Sequence, residues 1–443
     1  MMSGASEGDK VGKDTNINED GGTGRVTHVA LGGSISGVRW SAEGIPDDVL
    51  LQCLIRVPRV HHGTLKIVCK KWREVVESDL FTIQREKEGK AEDWLYVVGG
   101  VRNLAGGASC NEEPIGEVLI PWMNLWEPFS CEGLHMGDNH LFDLSCAAIG
   151  SRLFIIGGFE SRSAGSPSGS LKSNAVAMYD SCSQKWDHCA PMLCPREGFA
   201  CSVIENKIYV AGGLSREAML QSESGGRGMM RVTTAEVYDP ITDQWSLIMP
   251  MREGRSCCAG AAVSGRFYVF GGFGVRSLLS SVEIFDPATG RWGSGKPMPS
   301  SSWVVAGCAV LEDRWVYVVA ANYNSHELDR RRGQTAGMQM VLASYDVLED
   351  EWIVIGGIPT DRLLVHHSNG MQWEDLTLGG CGVAAVESKV YVVGGSSPYD
   401  GAGLNTTMVY DPKANVRDSA DRWYNGPWMR SRRHGLACTV IRR

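Results

Sequence analysis

The sequence predicts a mainly β protein, a six-bladed β-propeller preceded by a small all-α domain. Three observations carry that prediction. A pair of small residues closing an apolar run recurs at Gly99-Gly100, Gly157-Gly158, Gly212-Gly213, Gly271-Gly272, Ala320-Ala321 and Gly394-Gly395, in steps of 49 to 74 residues. Downstream of these pairs an aromatic-Asp pair and then a tryptophan follow in fixed order. Ahead of the first copy, the apolar spacing is helical.

The unit is clearest over residues 199–245. Two apolar runs, 201–204 and 208–211, flank the polar Glu205-Asn206-Lys207, the pattern of a short hairpin. Gly212-Gly213 stops the second strand, because paired glycines favour backbone angles that end regular pairing. A third strand, 235–238, runs into the turn signal Asp239-Pro240, and Trp245 sits on a fourth. Four such strands form one small antiparallel sheet, which needs neighbours to bury both faces.

The neighbours carry the same signals. The aromatic-Asp pairs are Tyr179-Asp180, Tyr238-Asp239, Phe285-Asp286, Tyr345-Asp346 and Tyr410-Asp411, the first copy lacking one. The tryptophans are Trp126, Trp186, Trp245, Trp292, Trp352 and Trp423. They are expected to pack between blades. A repeated four-strand unit of this length is a propeller blade. With diglycine, Tyr-Asp and Trp in this order, residues 93–443 resemble the kelch-repeat family.

Composition bounds the rest. The 443 residues fit a large repeat array plus a small module. Net charge −8 and pI near 5.7 give no reason to expect nucleic acid as a partner. No apolar run reaches the roughly 18–20 residues that span a bilayer, so no membrane partner is expected. The first 20 residues lack the apolar stretch of a signal peptide. The expectation is a soluble protein of the cytoplasm, the nucleus or both, with its 14 cysteines as thiols.

Residues 1–40 are rich in Gly, Ser, Asp and Asn and read as a disordered tail. Over 41–88 the character changes. Pro46 opens a helix whose first turn holds Asp47 and Asp48, and Val49, Leu50, Cys53 and Leu54 form one apolar face. A second helix is expected from about Thr64, with Leu65, Val68, Trp72 and Val75-Val76 at three- and four-residue spacing. Ser78-Asp79 looks like the cap of a third, carrying Leu80, Phe81 and Ile83. So small a helical module is more stable with a partner over its exposed apolar face.

The run GIPDDVLLQCLIRVPRVHHGTLKIVCKKWREVVESDLF, residues 44–81, resembles an F-box, with Ile45 in place of the usual Leu. That resemblance implies docking on the Skp adaptor of a cullin–RING ubiquitin ligase. Carried over by position, it assigns apolar adaptor contacts to Ile45, Pro46, Leu50, Leu54, Val57 and Pro58. Leu65, Val68, Cys69 and Trp72 are assigned to that interface or to the helical core behind it.

The propeller is expected over 93–443. The strand at 94–98 has no hairpin partner before it, and 436–441 (LACTVI) matches the first strand of the other units. The two should pair and close the ring, hiding both sheet edges. Cys146, Cys201, Cys258, Cys308, Cys381 and Cys438 occupy comparable places in the first strand of the six units, amid Ala, Gly and Ser. Cysteine there reads as one of the small side chains that fit near the axis. A thiol ring for a soft metal is the alternative, without a Cys-x-x-Cys pair in support. No cofactor and no metal are expected.

Loops carry function on rigid scaffolds. Arg330-Arg331-Arg332 lies in one between second and third strands and is a candidate for an acidic client, against a plain solvated charge run. His366, His367 and Trp373 lie in an insertion over 356–379. Arg196, Arg255, Arg362 and Arg432 precede first strands at similar places. The kelch resemblance suggests that such arginines line one mouth of the channel, where a client would bind.

F-box followed by kelch units resembles the large plant set of such proteins and implies a non-catalytic substrate receptor of an SCF-type ubiquitin ligase. A kelch scaffold working without ubiquitin is the alternative. A propeller copper oxidase is a further one, with no tyrosine, histidine and cysteine set assigned to it.

Overall fold

The computed structural model describes residues 46–100, 116–129, 140–161, 171–172, 174–215, 230–322, 339–359, 364–367, 370–373, 380–396, 403–416 and 418–443. The expected tail, Ile45, Arg330, Arg331, Arg332 and Arg362 lie outside them.

The chain divides into two compact units, residues 1–51 and 52–443. In the first, Pro46 opens helix α1 (Asp47–Leu54), its carbonyl accepting from the Leu50 amide at 3.0 Å. The division falls within α1, so the later helices share a unit with the strands rather than with the residues before them.

Three more helices follow in the second unit: α2 (His62–Val68), α3 (Lys70–Glu77) and α4 (Asp79–Lys87). The single helix expected from Thr64 is therefore two. The break is Cys69, extended at φ −161° and ψ 165°, with its sulfur accepting from the Trp72 amide as the cap of α3. The apolar spacing runs straight through this break, so periodicity could not reveal it. Ser78 caps α4 as expected, accepting from the Phe81 amide at 3.2 Å.

Six four-stranded antiparallel sheets form the propeller. The first blade is Ala437–Arg442, Asp93–Val98, Gly116–Ile120 and Leu125–Phe129. The second is Ser145–Ile149, Arg152–Ile156, Val176–Asp180 and Lys185–Cys189. The third is Ala200–Ile204, Lys207–Ala211, Ala235–Asp239 and Gln244–Ile248. The fourth is Ala259–Val263, Arg266–Phe270, Val282–Asp286 and Arg291–Gly295. The fifth is Trp303–Leu311, Trp315–Asn322, Gln339–Asp346 and Glu351–Gly357. The sixth is Gly382–Val386, Lys389–Val393, Thr407–Tyr410 and Trp423–Asn425.

The ring closes as the sequence predicts. Ala437–Arg442 pairs antiparallel with Asp93–Val98, from Asp93 opposite Arg442 to Val98 opposite Ala437. The two ends of the propeller thus share one blade, and Asp93–Val98, which would otherwise be an edge, is paired on both sides.

The core lies between blades. Leu95 and Val97 pack with Val386, Tyr391 and Val393 of the sixth blade, whereas Tyr96 and Val98 pack with Leu153, Ile155 and Tyr179 of the second. Alternate residues of one strand face opposite neighbours, which is why second strands read as unbroken apolar runs. Each tryptophan of the third and fourth blades ties back to the blade before it. The Trp245 indole donates to the Ala190 carbonyl at 2.9 Å, and Trp292 to Met249 at 2.5 Å. The aromatic of each Tyr-Asp pair faces its tryptophan across the strand, as Tyr238 does Trp245 at 5.1 Å between ring centres.

Candidate adaptor face, axial channel and inter-blade arginines

The residues assigned to the adaptor separate by burial. Leu50, Leu54 and Leu65 are buried at 7%, 2% and 9% exposure, Val57 and Trp72 are half-buried, and Pro46, Pro58, Val68 and Cys69 are exposed. On α2, Ile67 stands 76% exposed beside Val68 at 56%, and on α4 Leu80 and Ile83 are also exposed. Ile67 and Val68 thus place apolar surface in water at neighbouring positions of one helix. Ile67 was not singled out by periodicity, because it stands off the buried stripe of its helix.

Arginines fasten these helices to the propeller. Arg85 is 1% exposed; its guanidinium donates to the carbonyls of Ile55, Val57 and Lys90, each at 2.6 Å, and to Glu92 at 3.0 Å. Arg59 donates to the Ile441 carbonyl and the Tyr96 hydroxyl, both at 3.0 Å, and lies over the Trp94 ring at 4.2 Å. The Arg443 guanidinium donates to the Val76 carbonyl. His62 is packed edge-on to Phe81, and burial together with the Arg85 and Arg443 charges lowers its pKa to about 3, so the ring is neutral. None of these arginines was visible as a site in the sequence, because their acceptors are mostly backbone carbonyls.

The first strands surround an axial channel. One stretch of about 350 Å³ is lined by Cys146, Cys201, Cys257, Cys258, Cys308, Cys381 and Cys438 among glycines and alanines. Four of the six recurring cysteines share one register position: Cys146, Cys201, Cys308 and Cys438 stand opposite Ile155, Val210, Val318 and Val97. Gly260 and Val383 take that place in the fourth and sixth blades, and Cys258 and Cys381 precede their strands. Burial pushes the thiols of Cys201, Cys258, Cys308, Cys381 and Cys438 up to about 12. The channel is thus lined by protonated thiols acting as small apolar groups. Among the described residues, no three His, Cys, Asp or Glu side chains come together as a metal-binding group.

The arginines expected at the channel mouth have a different position. Arg196 and Arg255 are 1% and 0% exposed. Each is paired within its own blade, Arg196 with Glu236 and Arg255 with Glu283, the latter at 2.7 Å. Arg196 also donates to the carbonyls of Gly212 and Thr234, and Arg255 to those of Gly271 and Ser281. The glutamates accept two successive loop amides besides, Leu193 and Cys194 on Glu236, Arg252 and Glu253 on Glu283. A guanidinium so enclosed has no face left for a protein client; it fixes the turn that leads from one blade into the next.

In the first blade this place belongs to Arg433, not to the exposed Arg432 beside it. Arg433 is 0% exposed and donates to the Gly99 carbonyl at 2.9 Å and to Glu117 at 3.2 Å. The signal that finds these arginines is a glutamate two residues before the Tyr position of the third strand, present at Glu117, Glu236 and Glu283 and replaced by Ala177, Ala343 and Met408 in the other blades. His366 and His367 fall on a hairpin, Leu364–His367 paired with Gly370–Trp373, within the insertion before the sixth blade.

Comparison with known proteins places these elements. The description KLHDC2/KLHL20/DRC7 Kelch-repeats domain matches residues 90–319, a Kelch motif matches 378–427, and an F-box domain matches 43–84. Curated relatives include three Arabidopsis thaliana proteins. F-box/kelch-repeat protein At1g67480 is 34% identical over 52% of this chain and 54% of its own length. F-box/kelch-repeat protein At1g16250 is 26% identical over 80% of this chain and 82% of its own. F-box/kelch-repeat protein SKIP30 is 31% identical over 51% of this chain and 59% of its own. The chain thus spans about half the length of the first of these relatives.

Proposed function

Because the chain belongs to the kelch-repeat family and carries an F-box ahead of its propeller, as plant-type F-box/kelch-repeat proteins do, we propose that it is the substrate-recognition subunit of an SCF-type ubiquitin ligase. The F-box helices dock on a Skp-type adaptor, and the propeller holds a client protein. The chain breaks no bond itself; it raises the concentration of the client beside the ubiquitin-charged enzyme. The reading carries a cytoplasmic or nuclear location with it. The client's contacts are proposed for the loops between strands, with the exposed Arg432 at their border.

The observation that carries this reading is the F-box match at 43–84 together with the bare Ile67 and Val68 on α2. The test is co-purification of the full chain with a Skp-type adaptor. Ile67→Asp with Val68→Asp is expected to abolish the complex while leaving the thermal unfolding of the protein unchanged, since both side chains are already in water. No complex with the intact chain, or a complex indifferent to the double substitution, overturns the reading in favour of a kelch scaffold that works without the ligase.

A further inference from the structure

In the unit that holds α2 to α4 and the propeller lies a cavity of about 530 Å³ with a charge opposite to that of the protein. The chain carries 51 acidic against 43 basic residues. The cavity wall nevertheless holds Arg59, Lys66, Arg73, Lys185 and Arg443, with Glu77 as its carboxylate. Lys66 is 3.6 Å from Glu77, so one of these cations has a counter-ion in the wall. Arg59 and Arg443 are instead held by neutral acceptors: the Ile441 carbonyl and the Tyr96 and Ser181 hydroxyls for Arg59, the Val76 carbonyl for Arg443.

Two polar atoms of the wall are left over. Arg443 and His62 are 2% and 3% exposed, and both line the cavity. The Arg443 Nε–H is a donor with no hydrogen-bond partner. The idle Nδ1 of the neutral His62 is an acceptor, its Nε2–H being given to the Val57 carbonyl, and offers an anion nothing. A buried guanidinium with an idle donor, among cations that outnumber their carboxylate, costs free energy unless an anion enters. Ser181 and Ser183 on the facing turn add hydroxyl donors. Several guanidinium forks, an ammonium group and hydroxyls around one half-open pocket are the donor set for phosphoryl oxygens, which accept in several directions at once.

We propose that this cavity is a binding site for a small phosphate-bearing polyanion, which bridges α2 and α3 to the turn of the second blade at Ser181–Lys185. The size of the cavity is in the range of small-molecule sites, and the excess of cations calls for more than one negative charge. Asp180, which acts on Arg443, limits that excess from the propeller side and Glu77 limits it from α3. The bound anion adds its contacts to those by which Arg59 and Arg443 already tie the segment 59–77 to the propeller. Ile67, which the proposed adaptor would cover, also belongs to the cavity wall, so the site borders that docking face, and the titration is made on the chain without adaptor.

The experiment is calorimetric titration of the full chain with sodium tripolyphosphate, inorganic phosphate and a hexaglutamate peptide at matched ionic strength. Tripolyphosphate is expected to bind with one-to-one stoichiometry, at least tenfold more tightly than inorganic phosphate, and to raise the thermal midpoint. Arg73 and Lys185 are exposed, so R73E with K185E folds as the parent does, and it is expected to weaken tripolyphosphate at least tenfold. R276E, a charge reversal at an exposed residue outside the cavity wall, is expected to leave it unchanged. Absence of binding, equal loss in R73E/K185E and R276E, or hexaglutamate binding as tightly as tripolyphosphate would each overturn the proposal.

Discussion

Arg433 and Glu117 stand 316 residues apart in the chain and 3.2 Å apart in the protein, both fully buried. The pair joins the last loop of the propeller to the first blade, so it closes the ring from the side as the Ala437–Arg442 strand closes it from the edge. Glu117 does more than neutralise the guanidinium. Its carboxylate also accepts the Arg430 amide at 2.7 Å and the Ser431 amide at 3.0 Å.

That geometry predicts an asymmetry. Arg433→Ala leaves Glu117 with its two amide donors and should cost about 3 kcal/mol. Glu117→Ala leaves the buried guanidinium on the Gly99 carbonyl without its counter-ion, takes the acceptor from the Arg430 and Ser431 amides as well, and should cost about 5 kcal/mol or more. Chemical denaturation of the two variants measures both, and an equal or reversed ranking contradicts the account.

The pair also shows where sequence reading reaches and where it stops. Blade number, strand order and ring closure were legible because each blade repeats a local pattern: alternating apolar residues, a stop, a turn and a tryptophan. The arginines were legible only as a recurrence. Their partner glutamates lie 40, 28 and 316 residues away, and the order of the third case is reversed. Without the partner, Arg432 and its neighbour Arg433 cannot be told apart, and a buried ion pair reads as a channel rim. The α2–α3 break failed for another reason: one extended residue, Cys69, shifts the helix without disturbing the spacing of Leu65, Val68 and Trp72.

The thiols of the channel are predicted to be slow nucleophiles. Burial holds Cys201, Cys308 and Cys438 at about 12, so the thiolate is scarce at pH 8. Cys53 and Cys69 are exposed on the helical module. Timed alkylation with iodoacetamide followed by peptide mass spectrometry should modify Cys53 and Cys69 first, and the three channel thiols only after unfolding. Early labelling of the channel would show that its wall opens.

His62 predicts the acid side of the stability profile. Its folded pKa is lowered to about 3 by burial first, then by Arg85 and Arg443, with Arg59 adding to the effect. In the unfolded chain it titrates near the ordinary 6.5. Between those values the unfolded state binds the extra proton, so stability falls as pH drops from 6.5 towards 3, by at most about 1.4 kcal/mol per pH unit from this group. His62→Gln keeps an amide donor for the Val57 carbonyl, which Nε2 meets at 3.1 Å, and removes the titration. Denaturation midpoints between pH 6.5 and 4.5 should fall less steeply in the variant; parallel slopes would mean that the ring is protonated in the folded protein.

The diglycine of the third blade shows why a residue that carries no side chain is needed at the stop. Gly212 has φ +73°, in the left-handed region, and a Cβ there would lie 2.6 Å from the Arg255 carbonyl oxygen. That oxygen belongs to the backbone of the next blade's loop and accepts the Gly213 amide at 2.7 Å. It cannot withdraw without breaking that bond and shifting the Arg255 side chain, whose guanidinium is held by Gly271, Ser281 and Glu283. Gly212→Ala therefore combines backbone strain with a clash against a fixed neighbour and should cost about 2–4 kcal/mol. Gly150, with φ +57° and open space around the added carbon, isolates the first component. Gly150→Ala should cost about 1 kcal/mol, from the backbone alone. Thermal unfolding of the two variants separates strain from inter-blade contact, and a loss at Gly150 as large as that at Gly212 would remove the contact from the explanation.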